Sequence, residues 1–213
     1  MTNKPFIYTF WTGVNELTPN RLECLKNLRE VSECDVILVT PENLDNYILD
    51  DHPLHEAYQY LSETHKADYL RTYFMNFHGG GYSDIKKTTG SWLDSFQKLE
   101  ESDRWIIGYQ EIEGGAAIYP HLWRDMIGNG AYICKAKTLL TEEWYDEMIS
   151  LLETKLERLK INPSRCPDDR AENGSGYPIE WNEMLGRIFH RLCYKHKEKI
   201  LNTLPISKFT DYR

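Results

Sequence analysis

The side chains best suited to chemistry stand close together in the first half of the sequence. Asp68 and Arg71 are three residues apart in a helical pattern, so they lie one turn apart on one side of a helix. The pattern ends in three glycines, 79–81, which remove side chains where a polar ligand must approach the backbone, and Asp84 follows. Taken separately, these features indicate a surface ion pair, a helix end and a turn. Together they predict two carboxylates and a guanidinium around one cleft.

The elements that must position these residues begin with two apolar runs. The run over 5–11 and the run over 36–39 each predict a buried strand. Between them, Thr18 as a side-chain cap and Pro19 at the first helical position indicate a helix. The inner face of this helix is expected to carry Leu22, Leu25 and Leu28. Strand, helix and strand in this order form a βαβ unit, so we expect an α/β fold whose sheet begins with parallel strands.

The later elements continue the alternation of helix and strand. Helices are predicted over 62–77, 141–160 (capped by Thr141) and 180–197, strands over 82–85, 105–109, 116–119 and 131–134, and a loop over 162–177. In open α/β sheets, ligands bind outside the carboxyl ends of the strands, where several loops converge. We therefore expect Asp84, at the end of a short strand, to lie in such a cleft.

Composition limits the classes of protein to consider. The chain has 213 residues, 41% of them hydrophobic, which suits one soluble globular domain over 1–213. A formal net charge of −8 argues against a dedicated nucleic-acid binder, which normally presents a basic face to phosphates. Five widely spaced cysteines indicate reduced thiols, and the sequence has no recognisable signal peptide or membrane span. These observations predict a cytoplasmic protein.

Two short patterns resemble a known group of enzymes. Ala-Asp-x-x-Arg at 67–71, followed by Gly-Gly-Tyr-x-Asp at 80–84, is similar to the signature of the DXD-containing glycosyltransferases of the GT-A fold. That group includes the capsular-polysaccharide and mannosyl-type "sugar-binding region" enzymes and the glucosyltransferase domains of clostridial toxins. The chain length and Phe-Trp-Thr-Gly at 10–13 also resemble a glycosyltransferase domain with which chloroviruses glycosylate their capsids. The resemblance is strong over this short stretch and loose over the rest of the chain.

The resemblance implies a fold and an activity. The fold would be a GT-A domain over 1–213, with a mixed, mainly parallel central sheet flanked by helices, and it could be excised from a larger protein. The activity would be transfer of a hexose, either glucose or a deoxyhexose such as rhamnose, from a UDP-sugar to a glycan or glycoprotein acceptor. The anomeric configuration would be retained. A viral enzyme of this kind would act in the host-cell cytoplasm.

The same resemblance implies roles for individual residues. Asp68 and Arg71 would bind the donor sugar and help to orient the diphosphate, since carboxylate and guanidinium groups both bind vicinal hydroxyls with two contacts. Asp84 matches the first aspartate of the DXD motif, which contacts ribose or sugar and the metal shell. Trp11 would stack on uracil, although a place in the core is an equally good interpretation. The remaining donor contacts on this side would come from Thr12, Thr40, Tyr82 and Ser83.

One position departs from the family pattern. Lys86 stands where the second aspartate of the motif, the direct metal ligand, is expected. We expect Mn2+ or Mg2+, held by Asp84 with help from the distal Glu172, because hard oxygen ligands suit these ions. Two alternatives stay open. Either Lys86 and Lys87 neutralise the diphosphate without a metal, or the site binds the sugar nucleotide without turning it over.

Two downstream segments complete the predicted site. Asn129, in Gly-Asn-Gly at 128–130, is similar to a family segment that lies beneath the donor sugar, and a tight turn is the alternative. Ser175 and Tyr177, in Glu-x-x-Ser-x-Tyr at 172–177, resemble a lid that closes over the diphosphate. Both assignments rest on short patterns.

Two other functions fit parts of the sequence. A nucleotidyltransferase acting on sugar phosphates would share the α/β sheet and a metal-binding aspartate. It would normally have a glycine-rich, basic loop after the first strand, and Thr-Gly-Val-Asn-Glu at 12–16 is not such a loop. A non-catalytic module that binds sugar nucleotides or glycans fits the lysine at position 86.

Overall fold

Six strands form one central sheet in the computed structural model, which describes residues 4–212. The strands are β1 (Phe6–Phe10), β2 (Asp35–Val39), β3 (Gly80–Ser83), β4 (Ile106–Gln110), β5 (Ile127–Cys134) and β6 (Ile200–Leu201). Their spatial order is β2-β1-β3-β5-β4-β6.

The sheet is mixed and mainly parallel, which confirms the predicted fold class. β1 pairs in parallel with both β2 and β3, and β4 pairs in parallel with β6. β5 runs antiparallel to β3 and β4. Because β1, β2 and β3 are parallel neighbours, their carboxyl ends lie side by side at one edge of the sheet, where α/β proteins place their ligands.

Five α-helices flank the sheet within the part of the chain that the structure describes. They are α1 (Pro19–Ser32), α2 (Glu63–Phe77), α3 (Leu93–Glu101), α4 (Leu139–Ile161) and α5 (Gly186–Lys195). Residues of α2, α4 and α5 share one hydrophobic core with one face of the sheet, and residues of α1 and α3 pack on the other face. Successive strand residues alternate between the two faces, as Ile7 and Tyr8 do in β1.

The start of α1 matches the prediction, but its inner face does not match fully. The Thr18 side chain accepts a hydrogen bond from the Arg21 N–H and caps the helix, and Pro19 is its first residue. Leu25 and Leu28 are buried, whereas Leu22 is 54% exposed, so its predicted place on the inner face is wrong. Leucines repeated strictly every three residues drift around a helix with 3.6 residues per turn, and the first of them leaves the apolar stripe.

Helix α2 is the element that presents Asp68 and Arg71. Ser62 caps its first turn by accepting the His65 N–H, and its residues from 68 to 76 are buried between the sheet and α4. The helix ends at Phe77, and Gly79 adopts φ +66°, a left-handed conformation that favours glycine. The chain can therefore turn directly from α2 into β3.

Several predicted elements have different bounds. The strand predicted over 116–119 is wrong. Tyr119 has φ +50° and directly precedes a 3-10 helix over Pro120–Asp125. Pro120 fixes a turn and cannot donate to a strand ladder. Helix α4 begins at Leu139, because its cap is Thr138, three residues before the predicted cap Thr141.

Three further differences concern position in the sheet and missed elements. Helix α5 begins at Gly186, not at 180. β2 is an edge strand, with residues 36–38 only partly buried, so its predicted place as a buried strand is wrong. Helix α3 and strand β6 were not predicted from the sequence. Among residues 4–212, no helix has the length and apolar character that a membrane span requires.

Candidate functional site

The residues that follow the three parallel strands lie at the same edge of the sheet. Trp11 follows β1, Thr40 follows β2 and Asp84 follows β3. The first half of α2 reaches this edge, because Thr12 Oγ1 donates a 2.7 Å hydrogen bond to the Glu63 carbonyl at the helix start. Residues distant in the sequence therefore meet where the topology predicts a ligand site.

Asp68, Arg71 and Asp84 converge there, and we call these three residues the Asp–Arg cluster. Arg71 Nη2 lies 3.1 Å from Asp68 Oδ1 and 3.5 Å from Asp84 Oδ1. Asp68 and Arg71 are almost fully buried, whereas the Asp84 side chain is 24% exposed. The cluster thus has a buried base on α2 and a partly exposed carboxylate at the end of β3.

Arg71 is held on further sides by groups from the sheet. Its Nη1 donates a 2.8 Å hydrogen bond to the Asn129 carbonyl on β5, and its guanidinium lies 4.5 Å from the centre of the Tyr82 ring. A planar guanidinium with five donors suits such a setting, because it can bind two carboxylates and a carbonyl together. The orientation of Arg71 is therefore fixed by three elements of the fold.

Asp84 is equally well anchored. The Tyr82 hydroxyl donates to Asp84 Oδ1 at 2.5 Å, and Lys86 Nζ donates to Asp84 Oδ2 at 2.6 Å. The Asp84 N–H donates to the Gly130 carbonyl at 2.7 Å. A Cβ atom at Gly130 would lie 3.1 Å from Asp84 Oδ2, so glycine leaves the carboxylate its space.

The two carboxyl groups have pKa values shifted in opposite directions. Burial alone would raise the pKa of Asp84, but the cations of Lys86 and Arg71 outweigh it and lower the pKa to about 2. Burial raises the pKa of Asp68 above its usual value, although Arg71 opposes this shift. Burial by itself would lower the pKa of Arg71, whereas Tyr82 and the two carboxylates raise it. Asp84 is therefore ionised and Arg71 charged at neutral pH.

A small cavity lies at the same edge of the sheet, and the residues of the Asp–Arg cluster are not part of its lining. Its volume is about 240 Å³, and it is lined by residues that follow β1 and β2 and by residues of α2, among them Trp11, Thr12, Thr40, Lys66 and Leu70. Trp11 is partly exposed, and its Nε1 donates to the Asn15 carbonyl at 2.6 Å. The cavity thus brings together three of the predicted donor-contact residues, and Trp11 lines it while also packing against a buried hydrophobic cluster.

Ser83 and Asn129 contribute through different atoms. Ser83 is buried, and its hydroxyl donates to the backbone carbonyl of Asp84. Asn129 binds Arg71 through its backbone carbonyl. The tight turn considered as an alternative for 128–130 is wrong, because these residues lie within β5.

The predicted lid residues make their contacts elsewhere. Tyr177 is 2% exposed, and its hydroxyl lies 2.9 Å from His65 Nδ1. Ser175 donates to Asp169 Oδ1 at 2.7 Å, and the exposed Glu172 accepts the Trp181 N–H at 3.1 Å. These bonds fasten the loop to itself and to α2, so the lid role of the three residues stays a prediction.

The arrangement does not fit the divalent ion that the resemblance implies. Both Asp84 oxygens already accept hydrogen bonds, and a lysine ammonium occupies one of them. Glu172 accepts the backbone N–H of Trp181. Among the described residues, no three His, Cys, Asp or Glu side chains converge closely enough to hold a metal ion. Metal binding by Asp84 and Glu172 therefore stays a prediction that the geometry does not favour.

Three aromatic residues around the site were not predicted from the sequence. The Tyr109 hydroxyl reaches Gly130, beside Asp84, and the rings of Phe209 and Tyr212 lie over the Lys86 ammonium. No local pattern marks these residues, because they reach the site from β4 and from the end of the described chain. The alternation of side chains along the strand at 105–109 was the one signal available for Tyr109.

Comparison with known proteins agrees with this architecture. The model of the capsular polysaccharide synthesis protein family matches residues 1–123, which is more than half of the chain and includes the Asp–Arg cluster and Lys86. The chain belongs to the capsular polysaccharide synthesis protein family.

A solved structure shares the fold. The PaToxG glycosyltransferase aligns with a TM-score of 0.52 and 10% sequence identity, over 91% of this chain and 69% of that chain. No curated protein sequence matches significantly. The fold is therefore that of a known glycosyltransferase.

Proposed function

We propose that the protein transfers a hexose from a UDP-sugar to a glycan or glycoprotein acceptor, with retention of the anomeric configuration. Glucose, or a deoxyhexose such as rhamnose, is the proposed donor sugar. The observation that carries the proposal is the convergence of Asp68, Arg71 and Asp84 at the edge where β1, β2 and β3 end. Membership of the capsular polysaccharide family and the shared glycosyltransferase fold support it.

In this proposal, the nucleotide base occupies the cavity beside Trp11. A volume of about 240 Å³ is smaller than the pockets that enclose whole drug-sized ligands, which begin at roughly 300 Å³, and it suits one planar base. Trp11 contributes ring area for stacking, and the Thr12 and Thr40 side chains supply polar groups nearby. From the cavity, the ribose and diphosphate would extend along α2 towards Asp84.

The Asp–Arg cluster then receives the donor sugar and its diphosphate. The exposed part of the Asp84 carboxylate can accept hydrogen bonds from hydroxyl groups, and Arg71 fixes its direction. Positive charge at Arg71 and Lys86 would stabilise the negative charge that develops on the leaving diphosphate. Because these groups are held by α2, β3 and β5, they need little reorganisation during the reaction.

A specific observation also favours a second function, the non-catalytic binding module. Lys86 takes the place of the metal-binding aspartate and occupies Asp84 Oδ2. A site of this kind could bind a sugar nucleotide without cleaving it.

Release of UDP from UDP-sugars separates the candidates. We expect slow release of UDP and free sugar from UDP-glucose or UDP-rhamnose, and loss of this activity in Asp84→Asn with the fold retained. The matched control is Asp94→Asn, at an exposed position in the first turn of α3, which should behave like the wild type. Pyrophosphate release from UTP and a sugar phosphate would indicate a nucleotidyltransferase. Binding of UDP-sugars without turnover would indicate the binding module.

A further inference from the structure

Lys86 changes the charge of the site. With an aspartate at this position, three carboxylates would face one guanidinium, and a diphosphate could approach only with a divalent cation. With Lys86, two carboxylates face two cations, so the formal charge of Asp68, Arg71, Asp84 and Lys86 together is zero. The positive charge that a metal ion supplies in an acidic site is therefore already supplied by the protein.

The Lys86 ammonium is held in place on three sides. It lies 2.6 Å from Asp84 Oδ2, 5.1 Å from the centre of the Phe209 ring and 5.0 Å from the centre of the Tyr212 ring. Cation–π contacts of this length attract an ammonium, but they do not use its N–H groups as conventional hydrogen bonds do. The bond to Asp84 uses one of three N–H donors, so the group keeps donors for an anion.

The segment that carries the Phe209 and Tyr212 rings is itself fixed to the turn after β3. The Lys208 N–H donates to the Lys87 carbonyl at 2.7 Å, and Thr89 Oγ1 donates to the Ile206 carbonyl at 2.9 Å. Phe209 also packs edge-on against Tyr109, with ring centres 6.0 Å apart. These contacts hold the ammonium beside Asp84 instead of leaving it to move freely on a long side chain.

The neighbouring lysine has a different environment. Lys87 Nζ lies 3.6 Å from the Glu23 carboxylate on α1, and that glutamate is exposed. Lys87 is therefore paired away from the Asp–Arg cluster. Of the two lysines in this turn, the geometry singles out Lys86.

We propose that Lys86 is a built-in cation that binds the donor diphosphate in place of a divalent metal ion. This inference rests on the proposed function, because it assigns a diphosphate to the cleft beside the Asp–Arg cluster. The Asp84–Lys86 pair borders solvent, with side chains 24% and 12% exposed. A diphosphate at this border would meet the ammonium directly and would not face an uncompensated carboxylate.

Binding of UDP and of uridine, measured by calorimetry in EDTA and in Mn2+, tests the inference. Uridine lacks the diphosphate and reports on the base cavity alone. Wild-type protein should bind UDP with the same affinity in both buffers. In Lys86→Met, which keeps the length of the side chain, UDP affinity should fall about tenfold or more, since a hydrogen bond to a charged group is lost. Uridine affinity should not change.

Three further variants separate charge from packing. Lys86→Arg keeps the charge and should retain most of the UDP affinity. Lys87→Met removes the neighbouring lysine and should bind UDP like the wild type. Lys86→Asp restores the family motif and should bind UDP only when Mn2+ is present. Thermal unfolding of each variant shows that a loss of binding does not come from a loss of the fold.

The outcomes distinguish this inference from the proposed function. If wild-type protein binds UDP only with Mn2+, or if Lys86→Met binds UDP as tightly as the wild type, the inference is overturned and the proposed function stands. If wild-type protein binds neither uridine nor UDP in either buffer, the proposed function itself fails.

Discussion

Polar side chains at the end of β3 contact partners from several elements, whereas those of the loop over 162–177 mainly contact the loop itself. The Asp84 carboxylate lies 3.5 Å from Arg71 Nη2 of α2 and accepts a hydrogen bond from the Tyr82 hydroxyl of β3, and part of the carboxylate stays exposed. Asp169 is 1% exposed and accepts hydrogen bonds from the Arg165 N–H and the Ser175 hydroxyl. The Asp84 carboxylate therefore keeps an exposed part that a ligand can reach, whereas the Asp169 carboxylate is buried by its own loop.

The largest expected effect comes from removing the Arg71 guanidinium of the Asp–Arg cluster. Arg71→Met leaves Asp68 buried without its cation, and we expect unfolding to require about 3–5 kcal/mol less. Urea unfolding measures this change. The control Arg187→Met removes a half-exposed partner of Glu180 and should cost under about 1 kcal/mol. A similarly small loss of stability in Arg71→Met would show that the Asp68–Arg71 pair does not hold the Asp–Arg cluster together.

Two tryptophans allow a direct comparison of ligand binding. Trp11 lines the cavity at the ends of β1 and β2, and Trp181 lies 40% exposed beside the loop. Trp11→Ala should weaken uridine binding by roughly 1–3 kcal/mol, because base stacking is lost. Trp181→Ala should leave uridine affinity unchanged. The reverse result would move the base site from the strand ends to the loop.

The pH dependence of stability should separate the two carboxylates of the cluster. The folded-state pKa of Asp84 is lowered from 3.8 to about 2. Its contribution, about 2 kcal/mol, is therefore present above the unfolded pKa and is lost as the pH falls from about 4 to about 2. Asp68 has a raised pKa, so its effect has the opposite sign.

Urea unfolding of Asp84→Asn and Asp68→Asn from neutral pH down to about 2 measures both effects, because the Asp68 effect lies above the unfolded pKa of 3.8 and the Asp84 effect lies below it. Asp84→Asn should lose less stability than the wild type on acidification, and Asp68→Asn should lose more. Parallel curves for the two variants and the wild type would contradict the assigned shifts.

The smallest expected effect lies in the loop. Asp169→Asn keeps one acceptor oxygen but loses the charge that binds the Ser175 hydroxyl, and we expect stability to fall by about 1 kcal/mol. UDP affinity should stay as in the wild type. A clear loss of UDP affinity at unchanged stability would support the predicted lid role of this loop.

The cluster could be predicted because local rules determine it. Helical spacing fixes Asp68 relative to Arg71, and the glycine turn returns the chain so that β3 ends at Asp84. The meeting of Trp11, Thr12 and Thr40 at one cavity could be predicted in outline, because parallel strands bring the residues after β1 and β2 to one edge.

The remaining partners could not be predicted, because they are distant in the sequence and leave no periodic signal. The Asn129 carbonyl that binds Arg71 is 58 residues away, and it acts through the backbone, so the type of side chain carries no information. The rings of Phe209 and Tyr212 reach Lys86 only through the packing of the segment after β6. For Ser175 and Tyr177, a short pattern predicted ligand contacts. In the structure Ser175 binds Asp169 of the same loop and the Tyr177 ring is buried, and the pattern does not distinguish these structural roles from ligand contacts.

A crystal structure of the protein with a bound UDP-sugar tests most directly whether Asp68, Arg71 and Asp84 surround one donor. We expect uracil in the cavity beside Trp11 and a sugar hydroxyl within hydrogen-bond distance of the Asp84 carboxylate. A donor bound at another surface, with no contact to any of the three side chains, would contradict it.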